Sequence, residues 1–271
     1  MYLNRNYTIG ADPEIFLYNI KTKKIVSAID KIPGQKEAPY TEGLPEGYGL
    51  QTDNVLAEFN IPPVRSEEDF VKNIEFMKNI IRNKAKDIDS DFDVLCVASS
   101  KVPLTELKHP QAKRFGCDPD YCLYTQTQNY ISRNPRSTLR SGGFHIHIGY
   151  PEHNIDTSLE MLRYVDAIVG LASILYDTDM ERRKLYGKAG CFRLTSYGFE
   201  YRTLSSYWLG NESRLRFIYK QIQMALYAYE NHWSLPNPQV VEDVINNNLV
   251  EKAKLLLEDY NFLANNDIKP E

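Results

Sequence analysis

The chain has 271 residues, of which 42% are hydrophobic, and its 32 basic and 36 acidic side chains give a net charge of -4. Because the two signs are well mixed along the chain, the charge pattern does not imply a broad cationic surface for nucleic acid, and only a local basic groove is left open. The sequence has no apolar run long enough to cross a membrane, and its start lacks the charged and then apolar pattern of a secretion signal. We therefore expect a soluble, cytoplasmic protein folded as one domain over residues 1–271.

Four cysteines, Cys96, Cys117, Cys122 and Cys191, are few for a chain of this length and are not spaced as in a zinc knuckle. They are therefore predicted to be reduced thiols. Cys117 and Cys122 are close enough for a metal site to be considered, but they lack a second close pair. Cys96 lies in an apolar run and is predicted to be a core residue.

The first predicted element is a strand over residues 7–18, in which hydrophobic side chains recur at alternate positions. They are Ile9, Ala11, Ile15 and Leu17. The opposite face carries Asp12, Glu14 and Phe16, so this strand is expected to bury one face and to present two acids on the other.

A second strand is predicted over residues 55–61, after a connection rich in Pro and Gly, and Pro62 and Pro63 are expected to end it. Ser66 then provides an N-cap, followed by acids in the first turn and hydrophobic residues at helical spacing. This pattern predicts a helix over residues 66–86, and a short apolar strand follows over residues 92–98.

Residues 103–140 show no periodicity and contain scattered Pro, Asn, Gly and Ser, together with three arginines. A loop of this length is uncommon in a compact domain unless it is functional. We therefore predict that residues 103–140 form a lid or a substrate-binding insertion.

The second half of the chain is predicted to contain both strands and helices. They are, in chain order, a strand over 144–150, a helix capped by Asp156 or Thr157 that extends to about residue 176, strands over 192–196 and 199–205, and helices over 212–230 and 240–263. Because strands and helices do not alternate strictly, an α+β fold with a largely antiparallel sheet backed by helices is favoured over a doubly wound fold.

Four of the predicted strands carry polar side chains at alternate positions. The pairs are Asp12 and Glu14, Glu58 and Asn60, His145 and His147, and Glu200 and Arg202. Any one pair is typical of a solvated strand face. Together, however, they are metal-ligand types almost without lysine, and they would form one concave wall if the strands were neighbours. Carboxylates with an imidazole suit Mg²⁺ or Mn²⁺ better than Zn²⁺.

These motifs occur in the order found in the carboxylate-amine ligase superfamily, which includes glutamine synthetase and glutamate-cysteine ligase. They lie at residues 10–16, 53–59, 142–149 and 199–202. The chain most closely resembles the phage-encoded type 2 amidoligases, whose Gly-Cys-Asp-Pro-Asp segment is matched by residues 116–120. The resemblance implies a glutamine synthetase-like catalytic domain that uses ATP and two or more Mg²⁺ or Mn²⁺ ions to form an amide or peptide bond through an acyl phosphate.

The resemblance also implies roles for individual residues. The implied metal ligands are Asp12, Glu14, Asp53, Glu58, His145 and Glu200, of which Glu58 is also a catalytic candidate. Asp53 needs a turn or bulge to reach Glu58, and Asp12 stands where glutamine synthetases carry glutamate. His147 is expected to approach the nucleotide phosphates, and Arg202 to neutralise the transferred phosphoryl group.

A cluster of basic residues around a glycine-containing loop is a candidate phosphate site, because guanidinium groups bind phosphate oxygens in pairs. Its candidates are Arg182, Arg183 and Arg193, although the basic end of a helix would look the same. Asp118 and Asp120 are candidates for binding or deprotonating the amine.

Three other functions remain open from the residues alone. They are a guanidino kinase of the same fold, a metal hydrolase that uses His145 and His147, and a non-catalytic protein that binds metal or nucleotide. The carboxylate and amine substrates are not identified by the sequence, and assembly into a homo-oligomer is left open. If the chain is phage-encoded, it would act in the cytoplasm of a bacterial host.

Overall fold

A computed structural model of the protein describes residue 3 and residues 6–113, 120–129 and 137–263. The strands are β1 (Thr8–Asn19), β2 (Lys24–Val26), β3 (Gly49–Asp53), β4 (Leu56–Val64), β5 (Phe92–Leu95), β6 (Ser99–Lys101), β7 (Tyr121–Cys122), β8 (Leu139–Ser141), β9 (Phe144–Gly149), β10 (Cys191–Thr195) and β11 (Gly198–Tyr201).

The helices flank and follow these strands. They are α1 (Glu67–Ile88), α2 (Ile155–Val165), α3 (Leu171–Ser173), α4 (Met180–Leu185), α5 (Glu212–Glu230), α6 (Pro238–Asn246) and α7 (Val250–Asp259), with a π-helical turn at Asp166–Gly170 and 3-10 turns at Leu104–Leu107, Gln111–Lys113 and Ser206–Leu209. Within the described ranges, none of the helices combines the length and apolarity that a bilayer crossing needs.

The main sheet has the strand order β3-β4-β1-β9-β11-β10-β7, and its pairings are antiparallel. β2 and β5 pair with the second half of β1, and β6 pairs with β8 in a separate ribbon. The prediction of an α+β fold with a large antiparallel sheet backed by helices is confirmed.

One face of the sheet is buried against helices because its strands alternate hydrophobic and polar side chains. In β1, Ile9, Ala11 and Ile15 lie in the main hydrophobic core, with buried side chains from α1, α2 and α5. Asp12 and Glu14 alternate with them and point to the other face, where they are half-buried. The helices therefore cover one side of the sheet, and the other side presents polar groups.

A second, smaller hydrophobic cluster covers one end of the polar face. It consists of Phe16, Ile25, Ile29, Val55, Leu56, Val102, Leu107 and Ala112. Val55 lies in the turn between β3 and β4 and packs in this cluster. Phe16 follows Asp12 and Glu14 on the polar side of β1, so the cluster bounds the site at that end.

β4 does not end at the two prolines, contrary to the sequence prediction. Ala11 pairs with Ile61 and Ile9 with Val64, so one residue of β1 lies opposite two residues of β4. This register shift is a β-bulge, which tolerates proline because the bulged residues leave the regular hydrogen-bond ladder. β4 therefore continues past Pro62 and Pro63.

Other boundaries differ from the predictions for local reasons. Asn154, and not Asp156 or Thr157, caps α2, because its side chain accepts from the N–H of Thr157 while the Thr157 hydroxyl accepts from the N–H of Asn154. The strand expected over 92–98 ends at Leu95, and β6 begins only at Ser99. Cys96, which lies between them, is only partly buried. The last predicted helix is divided into α6 and α7.

Candidate functional site

The strand order brings the four polar pairs together. In the register of the sheet, Glu14 lies opposite Glu58, Asp12 opposite His145, and His147 opposite Glu200. The four strands are therefore neighbours in the order β4-β1-β9-β11. Their polar side chains point to the face that the helices leave uncovered.

Asp12, His147 and Glu200, here called the Asp12 group, are close enough to share a metal ion. One ligand atom from each lies within 4.8 Å of the others. Asp12 Oδ1 is 3.0 Å from His147 Nε2. The buried ring of His145 adjoins the group, since its Nδ1 is 3.4 Å from both Asp12 Oδ1 and Glu200 Oε1. Two carboxylates thus face two imidazoles.

The imidazoles keep the Asp12 carboxyl ionised. Burial alone would raise the pKa of Asp12, but the neighbouring His147 and His145 outweigh it and lower that pKa. Burial opposes protonation of His147, yet Asp12 raises the pKa of His147 above its usual value. Opposite charges therefore stabilise each other across β1 and β9.

Glu14, Asp53 and Glu58, here called the Glu14 group, form a second set with ligand atoms within 4.8 Å of one another. Glu14 Oε2 accepts from the N–H of Gly143 at 2.6 Å, and Glu58 Oε2 accepts from Gln51 Nε2 at 2.8 Å. Burial raises the pKa of Glu58 well above its usual value, and the charges of Asp12 and Glu14 add to this effect. Burial also raises the pKa of Glu14. A divalent cation would relieve this repulsion, so the donors fit Mg²⁺ or Mn²⁺.

The β3-β4 hairpin places Asp53 in the Glu14 group. β3 ends at Asp53, Asn54 adopts a positive φ of 51° in the turn, and β4 begins at Leu56. Gln51 lies opposite Glu58 across the hairpin, so Asp53, two residues along the strand from Gln51, points to the same side. The turn predicted between Asp53 and Glu58 is therefore present.

Two arginines share the carboxylate of Glu200. Arg202 is buried and its Nη1 donates to Glu200 Oε1, while Arg193 Nη1 lies 3.2 Å from Glu200 Oε2. Although burial disfavours the charged form, Glu200 and Asp12 raise the pKa of Arg202. Arg202 Nε is also 3.8 Å from Oδ2 of the buried Asp120. Arg202 is therefore a fixed cation beside both Glu200 and Asp120.

Arg182 and Arg183 have a different environment from the one expected for phosphate ligands. Arg182 is buried, and its guanidinium group donates to the backbone carbonyl oxygens of Gly142, Thr203 and Leu204. Arg183 Nη1 donates to the carbonyl oxygen of Gly187. These contacts hold backbone segments together, which indicates a structural role for Arg182 and Arg183, and the nucleotide site proposed below does not include them.

A cleft and a shelf adjoin the polar groups on two sides. The cleft is lined by Glu14, Asp53, Asn54, Leu56, Asp120, Leu139, Arg140, Ser141, Gly143, His145, Arg182, Leu185, Tyr186 and Arg202. The shelf is lined by Thr8, Gly10, Ile61, Pro63, His147, Gly149 and Tyr197. The catalytic candidate Asp118 lies outside the described residues, as does Cys117.

Three contacts of the site were not anticipated from the sequence. Tyr197 Oη lies 2.6 Å from His147 Nδ1, and the two rings stack with centroids 5.9 Å apart. Gln51 holds Glu58, as described above. Gly143 allows the His145 ring to lie close to the backbone at residue 143, because a Cβ there would collide with that ring. Sequence spacing carries no signal for the first two, since each depends on strand pairing.

The sequence matches the profile of the family described as Phage phiEco32-like COOH.NH2 ligase-type 2 over residues 116–263, which is more than half of the chain. No curated protein matches the sequence significantly. The matched region contains β9, β10 and β11, whereas β1 and the β3-β4 hairpin precede it. The family's description implies an enzyme that joins a carboxylate to an amine. The chain belongs to this phage phiEco32-like family of type 2 carboxylate-amine ligases.

Proposed function

We propose that the protein is an ATP-dependent ligase that forms an amide or peptide bond through an acyl phosphate and uses Mg²⁺ or Mn²⁺. The observation that carries this proposal is the pair of acidic groups on neighbouring strands, with Arg202 beside them. We further propose that the catalytic unit is glutamine synthetase-like and spans the whole chain. Its support is one hydrophobic core that includes residues from Tyr7 to Phe262.

The two acidic groups are the proposed cation sites. The Asp12 group offers two carboxylates and an imidazole, and the Glu14 group offers three carboxylates. His145, for which the resemblance implies a metal-binding role, adjoins the Asp12 group, and His147, expected from the resemblance to approach the phosphates, is within it. We therefore propose that both histidines serve the Asp12 group. When bound, the cations would neutralise the charge of the ATP phosphates.

The proposed reaction has two steps. A carboxylate oxygen of the acid attacks the terminal phosphorus of ATP, the bond from that phosphorus to ADP breaks, and an acyl phosphate forms. The amine nitrogen then attacks the acyl carbon, phosphate leaves with the electrons of the C–O bond, and the amine gives a proton to a base. Arg202 suits the first step, because its planar guanidinium is already held by Glu200 and can bind two phosphoryl oxygens.

The two sides of the polar face suggest where the substrates bind. We place the nucleotide at the shelf beside His147 and Tyr197, within reach of the half-buried Arg193. We place the acid and the amine in the cleft, where Asp120 faces Arg202 and apolar side chains complete the wall. Asp120 is the proposed base, and Asp118 remains a second candidate. Of the candidate lid at residues 103–140, residues 114–119 and 130–136 lie outside the described residues. The described part supplies Asp120 and a portion of the cleft wall, and we propose that it covers the bound substrates.

Hydroxylamine provides a direct test, because it converts acyl phosphates to hydroxamates, which form coloured complexes when iron(III) is added. The protein would be incubated with ATP, Mn²⁺, hydroxylamine and pools of amino acids, peptides and other carboxylic acids. A ligase should form hydroxamate together with equal amounts of ADP and phosphate. A guanidino kinase would form ADP without free phosphate when given guanidino acceptors, and a non-catalytic protein would form neither product. Hydroxamate formation that persists in excess chelator would contradict the proposed use of metal.

A further inference from the structure

A buried carboxylate outside the proposed reaction lies beneath the sheet. Asp166, in the π-helical turn after α2, is fully inaccessible to solvent. Its Oδ2 accepts from the hydroxyl of Tyr124 at 2.5 Å, and its Oδ1 accepts from the hydroxyl of Tyr201 at 2.6 Å. The backbone N–H of Gly190 also donates to it. A carboxylate that is buried away from water depends on such donors.

The two tyrosines belong to different parts of the site. Tyr201 lies in β11 between Glu200 and Arg202, although its side chain points to the opposite face of the sheet. Tyr124 belongs to residues 120–129, which carry Asp120. Gly190 leaves room for the Tyr124 ring, because a Cβ there would lie 2.9 Å from a ring carbon. Asp166 therefore links residues 120–129 to a strand of the site.

Residues 120–129 form a compact turn. Within it, the N–H of Gln126 donates to the carbonyl of Cys122 and the N–H of Asn129 donates to the carbonyl of Asp120. The turn joins the main sheet through the two residues of β7, the N–H of Leu123 donates to the carbonyl of Gly190, and the Leu123 side chain is buried in the main core. To these ties the bond from Tyr124 adds a direct link from the turn to the buried Asp166 beneath the sheet.

We propose that Asp166 and Tyr124 are positioning residues that hold residues 120–129 in place, so that the Asp120 carboxylate stays opposite Arg202. This inference rests on the proposed function, in which Asp120 handles the amine. Each oxygen of the fully buried Asp166 accepts one tyrosine hydroxyl, and a buried polar atom left without its partner is costly. Loss of the Tyr124 hydroxyl should therefore loosen the turn, whereas loss of the Tyr201 hydroxyl should leave the Tyr124 bond intact.

Three isosteric variants separate these effects. Tyr124→Phe removes the proposed tie, and Tyr201→Phe removes the other hydroxyl from the same carboxylate. Tyr164→Phe is the remote control, because the Tyr164 hydroxyl donates to the carbonyl oxygen of Trp233 at 3.0 Å. Hydrogen exchange of the Gln126 and Asn129 amides should rise about tenfold or more in Tyr124→Phe only. Equal exchange in all three variants and the wild type would overturn the proposal.

Hydroxamate kinetics test whether the tie serves Asp120. Well below the melting temperature, Tyr124→Phe should raise the KM for hydroxylamine at least fivefold while the rate at saturating hydroxylamine changes little. Tyr201→Phe and Tyr164→Phe should keep the wild-type KM. An unchanged KM in Tyr124→Phe, despite faster exchange, would reduce Asp166 to a structural role. Absence of hydroxamate from the wild type would instead contradict the proposed function, and the exchange data would still decide whether the tie exists.

Discussion

Replacement of Glu58 by glutamine tests whether the Glu14 group binds a cation, because the change should affect stability in opposite directions with and without metal. Glutamine has nearly the size of glutamate and keeps an oxygen that can accept the hydrogen bond from Gln51 Nε2. In the wild type that nitrogen lies 2.8 Å from Glu58 Oε2. The variant therefore removes a charge and little else. Glu46→Gln is the matched control, because Glu46 is an exposed glutamate.

Without metal, the variant should be the more stable protein. Ligand atoms of the Glu14 group lie within 4.8 Å of one another. Like charges at such a separation repel by roughly 3 kcal/mol at an effective dielectric constant of about 20. Protonation relieves part of this repulsion, because burial and the neighbouring carboxylates raise the pKa of Glu58. We expect a net gain of about 1 kcal/mol, or roughly 2–4 °C in melting temperature.

In chelator, the stability difference between Glu58→Gln and the wild type should change with pH in a defined direction. The pKa of Glu58 is raised above its ordinary value of 4.5 in the folded protein. The folded state therefore binds the proton more tightly than the unfolded state, and this contribution to stability is lost as the pH rises through the folded pKa. Glu58→Gln has no such loss. The difference in melting temperature between variant and wild type should widen as the pH increases from 5 to 8.

With metal, the order should reverse. A cation that binds only the native state stabilises it by about 2.7 kcal/mol at a hundred times its Kd. Loss of one of three carboxylates should weaken Mn²⁺ binding tenfold or more, which corresponds to about 1.4 kcal/mol. Thermal unfolding in chelator and across a Mn²⁺ titration measures both effects. The argument is refuted if Glu58→Gln melts lower than the wild type in chelator, or if Mn²⁺ stabilises both proteins equally.

Three further outcomes are expected. Arg202→Lys should retain ATP binding within a few-fold but lose about a hundredfold or more in turnover, since lysine lacks the planar fork. Arg216→Lys is its control, because Arg216 is only partly buried and pairs with Glu67 at the start of α1. Tyr197→Phe should weaken Mn²⁺ binding about tenfold, because the hydroxyl beside His147 Nδ1 orients the ring, and an unchanged affinity would remove that role. Hydrogen exchange in residues 120–129 should slow when ATP, Mn²⁺ and a reactive acid bind, and a segment unaffected by all three would not be part of a lid.

Alternation of hydrophobic and polar residues predicts β1, β9 and β11 well, because each buries one face against helices. β2 has only three residues, and β3 has five and begins directly after a stretch rich in Gly and Pro, so neither is long or regular enough for such a signal. The extension of β4 past its prolines depends on a bulge against β1, which only the pairing of the two strands creates. Local sequence therefore predicts the strands that bury one face in the core. It misses the strands, and the parts of strands, that depend on pairing with a neighbour.

The site shows the same division. Spacing alone predicts that Asp12 and Glu14 share a face, but strand order decides that Asp12 meets His147 while Glu14 meets Glu58. The separation of the acids into two groups is therefore a property of the sheet and not of any one motif. The tie between Tyr124 and Asp166 joins residues 42 positions apart, so nothing in either local sequence indicates it.

The balance of charge at the site leads to a last prediction, that ATP binding requires the cation. Among the described residues, six carboxyl groups face this region, from Asp12, Glu14, Asp53, Glu58, Asp120 and Glu200. The guanidinium groups of Arg193 and Arg202 lie beside them, and both are already engaged with Glu200. An ATP polyphosphate would therefore meet a negative potential unless cations bind with it.

We accordingly expect ATP with Mn²⁺ to raise the melting temperature by several degrees, and ATP with excess chelator to leave it unchanged. Glu200→Gln provides the internal check, because it removes a ligand of the Asp12 group and also removes the negative charge that Arg193 and Arg202 share. ATP binding without metal should then become measurable, even though Mn²⁺ binding weakens. If ATP binds the wild type equally well in chelator, the arginines alone hold the phosphates, and the acidic residues of the site do not bind cations for the nucleotide. If the variant gains no metal-free affinity, electrostatic repulsion by the acids is not what excludes the free nucleotide.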